Sequence, residues 1–144
     1  MTKIAVGSDH AGFNLKNTIK KYLEEKGYEV KDCGTNSTDS CDYPVYAKAV
    51  AKSVASGEYE KGILCCGSGV GVSIVANKVK GVRAVLAHES LTAKLSRNHN
   101  DANVLCLGER ITGEALALDI VETWLHSEYE GGRHQRRIDM MEED

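Results

Sequence analysis

The sequence predicts an α/β domain: a five-stranded parallel sheet in a three-layer, Rossmann-like α/β/α arrangement. Three observations carry this. Short apolar runs alternate five times with longer stretches whose apolar residues recur at helical spacing. Glycine and polar turn residues punctuate nearly every change of period. At 144 residues, with no internal repeat, low-complexity segment or linker, the chain reads as one domain (1–144) large enough for a real core. Strand–helix alternation of this kind makes a parallel sheet covered by helices on both faces.

In order, Ile4-Ala-Val-Gly7 is the first apolar run. It passes through Ser8-Asp9-His10-Ala11-Gly12 into a helix with Leu15, Ile19, Tyr22 and Leu23 on one face, ended by Gly27. Tyr28 to Cys33 alternates as a second strand, and residues 34–42 form a polar loop. Pro44 sits in the first turn of the next helix, where its missing N–H costs nothing. That helix turns Tyr46, Ala47, Val50, Ala51 and Val54 inward and closes at Gly57. The third strand, Ile63 to Cys66, runs into three alternate glycines, Gly67, Gly69 and Gly71, and then a helix from Val72. Val82 to Ala87 is the fourth strand, with Leu91 and Leu95 on a short helix after it. Asn103 to Leu107 is the fifth, and Thr112 is placed to cap a helix that buries Ile120, Val121, Trp124 and Leu125. A last helix spans about 134–142, basic at its start and acidic at its end.

The third unit carries the chemistry. Glycines between a strand and a helix let the backbone turn sharply and leave its N–H groups uncovered. Those groups and the positive end of the helix make an anion site. Strand alternation sends Cys65 and Cys66 to opposite faces, Cys65 to the core and Cys66 to the glycine loop, where the helix end favours a negative sulfur that can act as a base or a nucleophile. Ligands of parallel sheets bind off the carboxyl ends of the strands at a switch in strand order. If the first three strands lie in the order 2-1-3, Asp9 and His10 share a crevice with Cys66; the order of the last two stays open.

Other classes are excluded or weakened. The net charge of −3 provides no global basic field for nucleic acid, and no apolar run reaches membrane-span length. Five cysteines, an odd number without a CxxC pair or a leader pattern, suit free thiols in a reducing cytoplasm. No ligand pairs stand at zinc spacings. The glycine loop has Val72 where a dinucleotide fingerprint needs its third glycine, and no Lys-Ser/Thr follows as in a Walker loop.

Two further groups stand out. His99 lies among Asn98, Asn100 and Asn103 before the fifth strand, a composition that suits a solvated turn as well as an acid–base site. Three of the six arginines fall in Arg133-His-Gln-Arg-Arg137. On a helix Arg133 and Arg137 share a side, a spacing suited to a phosphate, or else a solvated face balanced by Asp139, Glu142, Glu143 and Asp144.

Taken together, Gly7-Ser-Asp-His-Ala-Gly12, Asp42-Tyr-Pro44, Cys66-Gly-Ser-Gly-Val-Gly71, Asn98-His-Asn100, Gly108-Glu-Arg110 and Gly132-Arg-His-Gln-Arg-Arg137 resemble the type B ribose-5-phosphate isomerases and the related sugar-phosphate isomerases of the same fold. The resemblance implies a cofactor-free and metal-free interconversion of ribose 5-phosphate and ribulose 5-phosphate. It also implies a homodimer, or a tetramer, with active sites shared between subunits and the C-terminal helix packing at the dimer interface. Under it Cys66 is the base, Ser68 shifts protons between O1 and O2, and His99 opens the furanose ring. The Gly67, Ser68, Gly69, Val70 and Gly71 backbone holds the enediolate. Asp9, His10, Tyr43 and Asn100 contact substrate, and Arg110, Arg133 and Arg137 grip the phosphate. Some members place a glutamate base in the turn after the loop; Val72 here makes this chain a cysteine type. Two other readings remain: an isomerase of a six-carbon sugar phosphate, and a non-catalytic phosphometabolite-binding module.

Overall fold

In a computed structural model of the chain, which describes residues 2–143, five strands alternate with six helices. Asp144, one of the acids set against the basic run, lies outside the described residues. The elements are β1 (Lys3–Ser8), a 3-10 turn (His10–Gly12), α1 (Phe13–Glu25), β2 (Glu29–Asp32), α2 (Tyr43–Ala55), β3 (Lys61–Cys66), α3 (Val70–Asn77), β4 (Ala84–Leu86), α4 (Ser90–Asn100), β5 (Val104–Gly108), α5 (Glu114–His126) and α6 (Arg133–Met141).

All strand pairs are parallel, in the order β2-β1-β3-β5-β4. The expected 2-1-3 order holds, and β5 lies inside β4. The reason is visible in the strands: all five residues of β5 are buried, whereas β4 is three half-buried residues at the edge. A central parallel strand is apolar on both faces; an edge strand can be short.

Strand alternation divides the core into two clusters. Ile4, Val6, Ile63, Cys65, Leu105 and Leu107 pack against α1 and α5, with Trp124 wholly buried. Ala5, Leu64, Cys66, Val104 and Cys106 pack against Ala47, Val50 and Val54 of α2 and Val72 and Ala76 of α3. Cys65 and Cys66 therefore face opposite layers, as the period of two requires. Burial pushes the Cys65 thiol well above its ordinary range, with the Cys106 and Cys66 sulfurs adding to it, and burial also raises Cys106.

Two elements differ from the sequence reading. The helix after β4 is not short: α4 runs eleven residues and takes in Asn98, His99 and Asn100, ending where Asp101 adopts a left-handed conformation. Its Leu91 and Leu95 face outward, while Ala93, Ser96 and Arg97 turn in. Thr112 does not cap α5. Gly113 holds the cap position, and the Thr112 hydroxyl is buried without a hydrogen-bond partner.

One buried charge braces the β2 end of the sheet. Lys16 of α1 is 1% exposed, and its ammonium donates to Asp32 at 2.9 and 3.1 Å and to the Thr35 carbonyl at 2.5 Å. Burial pushes the Asp32 carboxyl up, but the Gly34 N–H, Lys16 and Lys20 outweigh it and hold it below its ordinary value. Helix α6 lies across α4 through His134 and Ile138, and Arg83 holds Glu142 just past its end at 2.7 Å. Among the described residues, no helix is long and apolar enough to cross a membrane.

Candidate active site

The site grows from the switch point between β1 and β3. From there the chain returns to β2 on one side and to β4 and β5 on the other, so the loops leaving β1 and β3 open a crevice. After β3, Gly69 turns the chain with φ 81° and starts α3. A Cβ on Gly69 would lie 2.5 Å from a Leu86 methyl and 2.9 Å from the Leu107 carbonyl carbon, so no side chain fits between loop and sheet. From the other side, a Cβ on Gly108 would lie 2.5 Å from the Ser68 carbonyl carbon. The glycine loop thus rests directly on the end of β5. Glu109 N–H donates to the Cys66 carbonyl at 2.9 Å and Arg110 N–H to the Gly67 carbonyl at 3.0 Å, fixing it there.

Within this loop the Gly69 N–H donates to Cys66 Sγ at 3.1 Å. The sulfur sits under the N-terminus of α3, 6% exposed, at the floor of a cleft of about 580 Å³. The Ser68 hydroxyl accepts from Val70 N–H at 3.2 Å. First-turn N–H groups of a helix have no intrahelical acceptors, and the first turn of α3 begins at the cleft, which Val70 and Gly71 line.

The walls come from four other segments. Asp9 caps the 3-10 turn, its Oδ1 accepting from Ala11 at 3.0 Å and Gly12 at 3.1 Å. His10 Nδ1 accepts from Cys41 N–H at 3.3 Å, which in the neutral ring leaves the proton on Nε2. Tyr43, at the start of α2, lays its ring against the backbone of Gly71. The Arg110 guanidinium lies beside Gly67. Ala11, Val70, Ile74 and Ile111 complete the lining with apolar surface. Ile74 and Ile111, more than half exposed, are cleft residues that the sequence did not single out; the only signal was an apolar side chain where helix and loop should be polar.

The cleft therefore gathers Asp9, His10, Tyr43, Cys66, Gly67, Ser68, Val70, Gly71 and Arg110 from the candidate set, with Gly69 beneath them. It does not gather His99, Asn100, Arg133 or Arg137. Topology explains why. α4 runs back from the carboxyl end of β4 to the amino end of β5, so His99 lies at the opposite end of the strands from Cys66. One strand or helix of this length separates the ends by about 15 Å. The helices that carry those four, α4 and α6, pack against each other instead. His99 and His134 stack with ring centroids 4.6 Å apart, while Arg133 and Arg137 are exposed one turn apart. Glu130 joins them, 3.5 Å from His134 Nε2 and 4.0 Å from His99 Nε2.

The chain is thus a doubly wound parallel α/β protein with a buried thiol and a helix N-terminus at its switch point. The chain belongs to the ribose/galactose isomerase family, whose model matches residues 4–141. It is 55% identical over 139 residues to ribose-5-phosphate isomerase B of Escherichia coli (strain K12), covering 96% of this chain and 93% of that protein. Among solved structures it superposes on ribose-5-phosphate isomerase B of Clostridium thermocellum with a TM-score of 0.97 at 52% identity, covering 98% and 95% of the two chains. The Mycoplasma genitalium enzyme, solved with bound ribulose-5-phosphate, gives 0.95 at 45% identity over 98% and 94%.

Proposed function

We propose that this protein interconverts D-ribose 5-phosphate and D-ribulose 5-phosphate through a cis-enediolate, with Cys66 as the base. The observation that carries this is the Cys66 sulfur, held by the Gly69 N–H at 3.1 Å on the floor of a cleft that the N-terminus of α3 and Arg110 line. Proton abstraction beside a carbonyl builds negative charge on oxygen. Preorganised N–H donors aimed there are each worth roughly 10²–10³ in rate, and a positioned base about 10²–10⁴.

In the forward direction the Cys66 thiolate takes the C2 proton of the open aldehyde. The C2–H electron pair forms the C1–C2 double bond, and charge moves to O1 over the N–H floor. The Ser68 hydroxyl passes a proton between O2 and O1, and the Cys66 thiol returns its proton to C1. His99 opens the furanose beforehand, by moving a proton between the anomeric hydroxyl and the ring oxygen. Asp9, His10, Tyr43 and Asn100 hold the sugar hydroxyls. Arg110, Arg133 and Arg137 hold the phosphate, whose binding away from the reacting carbons supplies orientation.

His99, Asn100, Arg133 and Arg137 lie at the other end of the strands from Cys66, about 15 Å away on strand length, and do not reach it within one chain. A second copy supplies them: two chains in a symmetric dimer each lend this cluster to the other's cleft. Leu91, Leu95 and Ile111, all exposed, suit such contact, and α6 lies at the interface. The thiol base requires a reducing compartment such as the cytoplasm, and all five cysteines are free.

The test is conversion of ribose 5-phosphate to ribulose 5-phosphate with EDTA present. Turnover undiminished by the chelator is expected. No conversion of this or of a six-carbon sugar phosphate, with the phosphates still bound, would make the chain a non-catalytic binding module. Faster turnover of allose or galactose 6-phosphate would move the substrate to six carbons.

A further inference from the structure

The cluster of His99, Glu130 and His134 has more in it than ring opening needs. One nitrogen from each ring and one oxygen of the carboxylate all lie within 4.8 Å of one another. His134 is 7% exposed, and its Nε2 is buried without a hydrogen-bond partner, 3.5 Å from Glu130 Oε1. A buried ring nitrogen without a donor or acceptor is costly unless something occupies its lone pair. The main chain that carries the carboxylate is held in place. Glu130 N–H donates to the Asn98 carbonyl at 3.0 Å, and the Asn98 amide donates to the Glu128 carbonyl at 2.7 Å. These two bonds hold the stretch before α6 against the end of α4.

We propose that His99, Glu130 and His134 form a binding site for a divalent transition-metal ion of the Zn2+ type. Two imidazoles and one carboxylate are a zinc donor set, with ligands at about 2.0–2.2 Å. Donors around a tetrahedral ion at that distance stand about 3.4 Å apart. The His134–Glu130 separation of 3.5 Å already meets this. His99, at 4.0 Å from Glu130 and 40% exposed at a helix end, has to turn out of its stack on His134 to aim its lone pair at a shared ion. The open side, where His99 and Glu130 meet solvent, leaves room for water as the fourth ligand. Nitrogen donors select zinc, nickel and copper over magnesium and calcium.

The functional consequence rests on the proposed role of His99. An imidazole whose lone pair is held by metal cannot shuttle a proton, so the ion inhibits entry of the closed sugar. The reaction needs no metal; this site switches it off. Entry of ribulose 5-phosphate, which is already open, is spared.

The experiment titrates metal-free protein, kept reduced with a phosphine, with Zn2+ against a competing chromophoric chelator. One ion per chain is expected, weakened at least tenfold by Glu130→Gln and by His134→Asn. Glu130 is exposed, so its variant keeps the result readable if His134→Asn misfolds. Co2+ in place of Zn2+ should give a spectrum without a thiolate charge-transfer band. Absence of saturable binding, binding unchanged by Glu130→Gln, or a thiolate band showing the ion on a cysteine overturns the site. With Zn2+ bound, turnover of ribose 5-phosphate should fall at least tenfold in the natural sequence and be unchanged in Glu130→Gln at the same concentration. Exchange of a C1 hydrogen of ribulose 5-phosphate with deuterium from solvent should continue. If Zn2+ binds with the expected mutant pattern while turnover of ribose 5-phosphate is untouched, the metal site stands and the ring-opening role of His99 falls.

Discussion

The Cys66 cleft and the His99–α6 cluster sit at opposite ends of the strands of one sheet and are built in opposite ways. The cleft is backbone architecture: a left-handed glycine, two carbonyl–amide bonds from the end of β5, and a sulfur under a helix terminus. The cluster is side-chain architecture on exposed helix ends, with one buried histidine at its base. A parallel α/β topology can bring any number of strand ends to one crevice, but it cannot carry a helix C-terminus there. Within one chain the cleft therefore does not include the His99 group.

The largest effect expected tests the cleft alone. Cys66→Ala should lower turnover by at least 10³-fold while sugar phosphate still binds, because a base contributes only in the chemical step. Cys65→Ala should keep most activity, since its sulfur lies in the other core layer. Steady-state kinetics with isothermal titration separates the two; the reverse pattern would reassign the base.

Mixing chains tests the division itself. Cys66→Ala and His99→Asn are each expected to be nearly inactive on ribose 5-phosphate. Unfolded and refolded together, they should recover about a quarter of natural activity, because half of randomly paired dimers are mixed and each holds one intact site. No recovery would mean that cleft and cluster serve the same chain or do not cooperate.

Arg137→Ala comes next. A charge-assisted fork to phosphate is worth about 1.5–3 kcal/mol, so KM for the phosphorylated sugar should rise by about ten- to a hundredfold. The unphosphorylated sugar should be unaffected. Equal changes on both would return Arg133 and Arg137 to a solvated face.

The smallest effect on chemistry is expected at the Lys16–Asp32 pair, remote from both regions. Asp32→Asn leaves Lys16 buried without its counterion and should cost about 3 kcal/mol, at the low end for a buried pair because Asp32 is 20% exposed. The Asp32 carboxyl is held below its ordinary value in the fold. Its stabilisation is therefore present above about pH 4 and lost as pH falls through the folded value. Melting curves should show the variant's deficit at neutral pH closing in acid.

The contrast also explains what could be read in the residues. The cleft was legible because strand–glycine–helix is a local pattern, and alternation put Cys65 and Cys66 on opposite faces of the sheet. The 2-1-3 order followed from wanting Asp9 and Cys66 in one crevice. The placement of β4 outside β5 left only a faint trace: Arg83 and His88 flank a short apolar run, as suits an edge. The reach of α4 was hidden because Asn98-His-Asn-Asp101 has the composition of a turn. The helix persists through it because Arg97 bonds Asp101 and the Ala102 carbonyl, and the Asn98 amide reaches Glu128. Those bonds join residues up to thirty positions apart, and no local period announces them. The convergence of Glu130 on His99 was invisible for the same reason.

The clamping of the glycine loop by Gly69 and Gly108 bears on how the substrate range can be altered. Because the floor is main chain pressed on main chain, it leaves no side chain to exchange and little freedom to shift. The walls are ordinary side chains: Tyr43 on α2, Val70 and Ile74 one turn apart on α3, and Ile111 beyond β5. Remodelling them, by trimming Ile74 or Ile111 for a longer sugar or enlarging Val70 for a shorter one, changes which carbon chain fits while the proton-transfer apparatus stays in register. A family on this scaffold can diversify in substrate length through a few wall positions, without reinventing its chemistry.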